Sequence, residues 1–379
     1  MDLVRLAHDL VAIPSMNPMG REECGAGFGE RALAAHLDTL LQGMGAATLL
    51  TWPVPDRPNL CAWFDFGAPD TVLFEAHLDT VPADNMTIAP FGAEVRDDRL
   101  WGRGACDVKG PMAAMLWAVD RAAKAGRARR NVLFCAVMDE EYQFTGVRHL
   151  LDHLPDAWRA RITYAVVAEP TGLRPVAAHK GVVRWRATAR GLAAHSSTPH
   201  LGENAIYKLA DATLALRNHA DTLAAGPAHP LLGHATLGVG IVRGGSAVNI
   251  VPDTAVAEID RRLIPGEDPA AVTRTVRALV EPFGVELSEP IMGAPAFETD
   301  ADAPAVRDTL AAAARAEVDA APLAVNYCTD ASFYPAHGIP AVVFGPGDIA
   351  QAHTKDEWIA LDQLRRGGEA YSALLDPEA

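Results

Sequence analysis

The chain has 379 residues, 49% of them hydrophobic and 21% charged, with a formal net charge of −15. That length accommodates two domains, and the acidic balance argues against nucleic acid or an anionic membrane as a partner. Cys24, Cys61, Cys106, Cys135 and Cys328 show no C-x-x-C spacing. Neither a disulfide framework nor a zinc knuckle is therefore indicated, and reduced thiols in a cytoplasm fit best.

The opening Met1-Asp2-Leu3-Val4-Arg5 reads as an amphipathic helix start rather than a signal peptide, and no run reaches the length of a membrane span. The pattern predicts a helix over 2–13, stopped by Pro14, and another over 27–44 with Leu33, Leu37, Leu40 and Leu41 on one face. A strand follows over 60–66. Val72-Leu73-Phe74 reads as a buried strand running into Ala76-His77-Leu78-Asp79-Thr80. Gly102 and Gly104 suit a sharply bent loop around Asp107, and Pro111 suits the first turn of a helix over 112–125. Val132–Met138 is a second buried strand ending in Asp139-Glu140-Glu141, and a third, over 164–168, ends in Glu169-Pro170-Thr171-Gly172. Strands alternating with helices of this length predict a three-layer α/β/α domain with a mostly parallel sheet.

At Gly181 the pattern changes. The stretch 182–189 alternates apolar and polar residues, as a half-exposed antiparallel strand does. A helix over 203–223, strands over 236–242 and 254–263, a helix over 269–280 and a short strand over 285–287 complete a separate α+β block. The expected organisation is an inserted domain over 181–291 within a discontinuous domain over 1–180 and 292–379. After it come a helix over 303–317, a strand over 341–344, a loop with His353, and a closing helix over 361–375.

Three successive strands thus end in imidazole or carboxylate groups. Carboxylates gathered at one sheet edge repel one another unless a cation neutralises them. His77, Asp107, Glu141, Glu169 and His353 are the candidate ligands, each following a predicted strand at the same edge. Two zinc ions about 3.5–4 Å apart, sharing one carboxylate, would use all five. Glu140, beside Glu141, is the natural general base. Asp79 is placed to accept the second N–H of the His77 imidazole.

These stretches, with Gly104-Ala105-Cys106-Asp107-Val108-Lys109-Gly110, Ala178-His179-Lys180-Gly181, Asn326-Tyr327-Cys328-Thr329-Asp330 and 345–353, resemble the dinuclear-zinc aminoacylase and carboxypeptidase family. The resemblance covers nearly the whole chain. It implies two Zn²⁺ per subunit, with Co²⁺ or Mn²⁺ as substitutes. His77 and Glu169 would hold one ion, Glu141 and His353 the other, with Asp107 between them and a cis peptide after Asp107. It implies a ferredoxin-like, dimerising insertion whose His195, in Gly191-Leu192-Ala193-Ala194-His195, reaches the partner subunit's site and polarises the scissile carbonyl. Asn249, Arg262 and Gly345 would bind substrate, Arg262 through a two-pronged pair with its carboxylate.

The activity so implied is removal of an acyl group from a small N-acyl amino acid, N-acetylornithine first among them, by a cytoplasmic homodimer. Tyr142-Gln143-Phe144-Thr145-Gly146 stands where that branch usually carries a serine-containing stretch, and Asp330 stands where Glu is expected. Both leave the acyl group and side-chain preference open, desuccinylation included. A dipeptidase or carboxypeptidase on the same scaffold is the alternative. A binding protein without catalysis would have no need of Glu140. No Gly-x-Ser-x-Gly elbow and no His-Glu-x-x-His occurs.

Overall fold

The computed structural model describes residues 1–21, 24–126 and 128–376. It resolves into two compact units, Met1–Ala177 with Thr299–Leu323 and Thr329–Ala379, and Ala178–Glu298 with Ala324–Cys328.

The first unit begins with α1 (Leu3–Val11), capped by the Asp2 carboxylate, which accepts from the Arg5 amide at 2.7 Å. Then come α2 (Arg31–Gly43), β1 (Ala47–Val54), β2 (Arg57–Phe64) and β3 (Thr71–His77). Next are α3 (Lys109–Ala125), β4 (Asn131–Val137), α4 (Thr145–His153) and β5 (Ile162–Val167). The second unit carries β6 (Gly181–Arg190), α5 (Ala205–Ala225), β7 (Thr236–Gly244), β8 (Thr254–Leu263), α6 (Pro269–Val280) and β9 (Val285–Leu287). The chain then returns to the first unit with α7 (Pro304–Arg315), β10 (Ala341–Val343) and α8 (Leu361–Leu375).

In the first unit the strands run in the order β1-β2-β4-β3-β5-β10. β1 and β2 are antiparallel to their neighbours, whereas β4, β3, β5 and β10 are mutually parallel. Val72, Phe74 and Ala76 of β3 join a core with α1, α2, α3, α7 and α8. Leu73 and Glu75, on the opposite face, are equally buried. The near-continuous apolar runs of β3 and β4 follow from cover on both faces. Because the central strands are parallel, their C-terminal ends share one edge, and the ends of β3, β4 and β5 are where the acidic and imidazole groups begin. Strand β1 has no counterpart in the sequence reading, because its residues alternate weakly and lie half-exposed.

The second unit is antiparallel, in sheet order β7-β8-β6-β9. With chain order βαββαβ this is a ferredoxin-like fold. Its core gathers Val183, Trp185, Ala187 and Ala189 of β6 with Ile259, Leu209, Leu216 and Val276, while Arg184 and Arg186 alternate outward. The unit starts and ends a few residues outside 181–291. His179 pairs with Phe297 and Ala178 with Glu298 in a short antiparallel ladder, so the two connecting segments stay together. No described helix is long and apolar enough to cross a membrane.

That ladder buries His179, whose ring lies 4.9 Å from Phe297 and whose Nδ1 is 3.0 Å from the Lys180 carbonyl. Burial pushes its pKa down to about 4. An unfolded histidine titrates near 6.5, so between those values the unfolded chain binds a proton that the folded chain does not. The stability involved is complete above about pH 6.5 and falls away as pH drops through 4, by about 3 kcal/mol. Urea unfolding from pH 7 to pH 4 is expected to show this slope, and a His179→Gln variant to show a shallower one.

Candidate metal centre

The loop after β3 is fixed by its neighbours. The Leu78 amide donates to Val137 O at 2.7 Å, Ser15 Oγ donates to Leu78 O at 2.7 Å, and the amides of Asn17 and Thr80 bond across the two segments. His77 is thereby held at the strand end, 2% exposed, with Nδ1 2.7 Å from the carbonyl of Asp79 and Nε2 3.0 Å from Asp107 Oδ1. The second oxygen of Asp107 lies 3.3 Å from His353 Nε2. His353, at φ +61°, also meets the Glu141 carboxylate at 2.9 Å. Asp107 therefore stands between two imidazoles, one oxygen toward each. The peptide after it, to Val108, is cis.

Two sets of ligand atoms each lie within 4.8 Å of one another: His77 with Asp107 and Glu141, and His77 with Glu140 and Glu169. The five expected ligands and Glu140 thus share one cluster. Burial opposes charge on all of the acids. It raises Glu140 and Glu169 well above the usual carboxylate range and raises Glu141 less, with Asp107 adding to each. Asp107 is buried too, but His353 and His77 hold its pKa well below normal. Burial also disfavours the charged imidazole of His77, yet Asp107 and Glu140 drive its pKa well up, and the two carboxylates push His353 up to about 11. Carboxylates that repel and imidazoles that borrow protons to neutralise them form a donor set suited to divalent cations.

Residues 73–376 match the profile of Peptidase family M20/M25/M40. The chain belongs to that family. Acetylornithine deacetylase of Myxococcus xanthus is 33% identical over 308 residues, 76% of this chain and 75% of that protein. A protein of Aspergillus terreus described as "Probable carboxypeptidase" is 30% identical over 387 aligned residues, 97% of this chain and 84% of that one. The M20 family metallo-carboxypeptidase Sso-CP2 of Sulfolobus solfataricus has the same fold, with a TM-score of 0.81 at 20% identity over 99% of this chain and 98% of its own.

This M20 chain corrects the expected part of Asp79. Its carboxylate stays 3.8 Å from the His77 ring and instead accepts the amides of Glu140 at 3.1 Å and Glu141 at 3.2 Å. The His77 Nδ1 faces the Asp79 backbone carbonyl at 2.7 Å, while both oxygens of the carboxylate are taken by the two amides. Asp139, at φ +68°, makes the bend that presents those two amides. Buried Asn17, which the sequence reading passed over, donates to Asp79 at 2.7 Å and Asp139 at 3.0 Å. Arg57 continues the line from Asp139, at 3.2 Å, to buried Glu30.

Gly345 also differs from its expected part. Its amide is 3.2 Å from Thr171 Oγ1, and its carbonyl accepts from the Leu173 amide at 2.9 Å. A Cβ there would lie 2.6 Å from the Glu169 carbonyl. Gly345 lets the Glu169 loop sit close and offers no free group to a substrate.

In the second unit His195 is exposed. Ser197 N donates to its Nδ1 at 3.2 Å, which leaves the neutral ring's proton on Nε2. The Ser196 amide donates to Asn249 O at 3.0 Å, so His195 and Asn249 are neighbours. Arg262 is elsewhere. It pairs with Val182 at the start of β6, whereas the His195 loop follows the end of β6 and pairs with residues just before β8. Arg262 lies eight steps along the extended strand from Thr254, roughly 26 Å. Arg262 gives Nε and one Nη2 proton to Asp260 at 2.8 and 3.3 Å, which leaves its Nη1–Nη2 edge.

Proposed function

We propose that this M20 hydrolase is a two-metal N-acyl-amino-acid deacylase, with N-acetylornithine giving ornithine and acetate as its first candidate reaction. The observation that carries the reading is Asp107, with one oxygen 3.0 Å from His77 and the other 3.3 Å from His353. Such a carboxylate is built to be shared. His77 and Glu169 on one side, Glu141 and His353 on the other, would hold two Zn²⁺, or Co²⁺ or Mn²⁺. When bound, those cations supply Lewis-acid polarisation and a water of lowered pKa.

The chain's own groups do the remaining work. The Glu140 carboxylate takes a proton from the attacking water and passes it to the leaving amine nitrogen as the C–N bond breaks. Asp79 fixes the backbone from which Glu140 and Glu141 project. His195 donates its Nε2 proton to the oxygen of the attacked carbonyl, and the open edge of Arg262 receives the substrate carboxylate.

The substrate class rests on the relationship to acetylornithine deacetylase of Myxococcus xanthus. A second reading, carboxypeptidase, is favoured by the Aspergillus terreus relative, which aligns over 97% of the chain. The purified protein loaded with Zn²⁺ or Co²⁺, tested on N-acetyl-, N-succinyl- and aminoacyl-amino acids, separates them. Preference for N-acetylornithine supports the first reading and preference for dipeptides the second; no amide hydrolysis at all refutes both.

A small substrate cannot span the separation between Arg262 and the His195–Asn249 pair within one subunit. We place the two sets in one site through a homodimer, each subunit lending His195 to the other. The edge strand β7 and its loop, with Val242 and Val248 exposed, offer an apolar face for such pairing. Glu140→Gln and His195→Ala proteins, each inactive alone, are expected to regain about a quarter of parental activity when co-expressed, since half the dimers are mixed and hold one intact site in two. No recovery would place His195 in its own subunit's site or outside the chemistry.

A further inference from the structure

We infer that Glu357 is the positioning residue that sets Asp107 between the two cations. The inference rests on the reading of Asp107 as the shared ligand. Glu357 is 0% exposed. Its Oε1 accepts the amides of Cys106 at 2.9 Å and Asp107 at 3.0 Å, and its Oε2 accepts the Gly104 amide at 3.1 Å and Arg103 Nη1 at 2.6 Å. One carboxylate thus holds three backbone N–H groups of the loop carrying Asp107, all charge-assisted and shielded from water.

Short strands bring it there. Trp358–Ala360 pairs antiparallel with Arg99–Trp101, matching Trp358 to Trp101, and the Gly102 amide donates to Glu357 O at 3.0 Å. Arg103, itself 1% exposed, neutralises the carboxylate and donates from Nη2 to Thr354 O at 3.2 Å. Burial and the neighbouring Asp107 carboxylate oppose the charge of Glu357, and Arg103 with the amides of Cys106 and Asp107 offsets part of that opposition. Thr354 follows His353 directly in the chain. The same four-group clamp therefore ties the Asp107 loop to the loop that supplies His353, and so fixes the distance between the shared carboxylate and a terminal imidazole. Side chains that orient metal ligands commonly contribute 10–100-fold to affinity or rate.

Two variants separate the parts of the clamp. Glu357→Gln keeps the size but must turn an NH₂ toward one of the two donor pairs. Glu357→Asp keeps the charge but falls one methylene short. Zn²⁺ titration of the chelator-stripped full chain against a fluorescent competitor, well below each variant's melting temperature, is expected to show both ions bound at least about tenfold more weakly in both variants. After loading at saturating Zn²⁺, kcat should fall about 10–100-fold with KM within threefold. A purely structural part would lower the melting temperature and leave the affinity of the folded protein unchanged; that result in either variant overturns the inference.

Hydrogen exchange in the unaltered, metal-free protein supplies a test that needs no variant. The Gly104, Cys106 and Asp107 amides should be protected at least about a hundredfold over unstructured chain, because Glu357 holds them before any cation binds. Rapid exchange at all three overturns the inference. The affinity and exchange readouts are independent of substrate, so a protein that binds two cations and hydrolyses no N-acyl amino acid would refute the deacylase reading alone.

Discussion

A Glu140→Gln variant is expected to lose about three orders of magnitude in turnover while taking up as much Zn²⁺ as the parent protein. The side chain lies within the ligand cluster beside His77 and Glu169, and the amide of Glu140 stays bonded to Asp79 whichever side chain it carries. Glutamine matches glutamate in size and removes only the capacity to take a proton, so the site keeps its shape and charge-bearing ligands. Turnover measured with N-acetylornithine, beside metal content by mass spectrometry, separates the two effects. A variant that still turns over at more than about a tenth of the parental rate contradicts the assignment of Glu140 as base.

Asp107→Asn is expected to act through the metal instead. Each oxygen of Asp107 faces one histidine, and asparagine replaces one of those oxygens with an NH₂ group that cannot ligate. It also withdraws the charge that the two imidazoles answer. Bound Zn²⁺ should fall from two per chain to one at most, and kcat/KM by about a thousandfold or more, because no shared ligand remains to hold the ions as a pair. Glu357 would still clamp the loop, so the fold should be unchanged by circular dichroism. Two tightly bound ions in this variant would show that Asp107 is not the shared ligand.

Much of this centre could be read from the chain. His77, Glu140, Glu141 and Glu169 follow long apolar strands, and a parallel sheet brings the ends of such strands to one edge. The second unit was legible through the alternation in β6, where Arg184 and Arg186 point away from Trp185 and Ala187.

What the sequence does not make legible depends on partners far apart in the chain. Glu357 lies in Lys355-Asp356-Glu357, a charged run that locally resembles a solvated loop. Only its pairing with Arg103 and three amides some 250 positions earlier buries it. Asn17 has the same history, since its contacts to Asp79 and Asp139 cross more than sixty positions. Asp79 belongs to the expected neighbourhood but makes a different contact, because the amides of Glu140 and Glu141, about sixty positions away in sequence, lie nearer its carboxylate than the His77 ring does. Gly345 reads as a substrate contact in the sequence, whereas its lack of a side chain is what the Glu169 loop requires.

The central claim is that the acids and imidazoles at this edge are arranged around two cations sharing Asp107. The most direct test is a crystal grown with Zn²⁺ and measured on both sides of the zinc absorption edge. Two anomalous peaks about 3.5–4 Å apart, one beside His77 and Glu169 and the other beside Glu141 and His353, with Asp107 touching both, are expected. A single peak, or two peaks with Asp107 bound to neither, would contradict it.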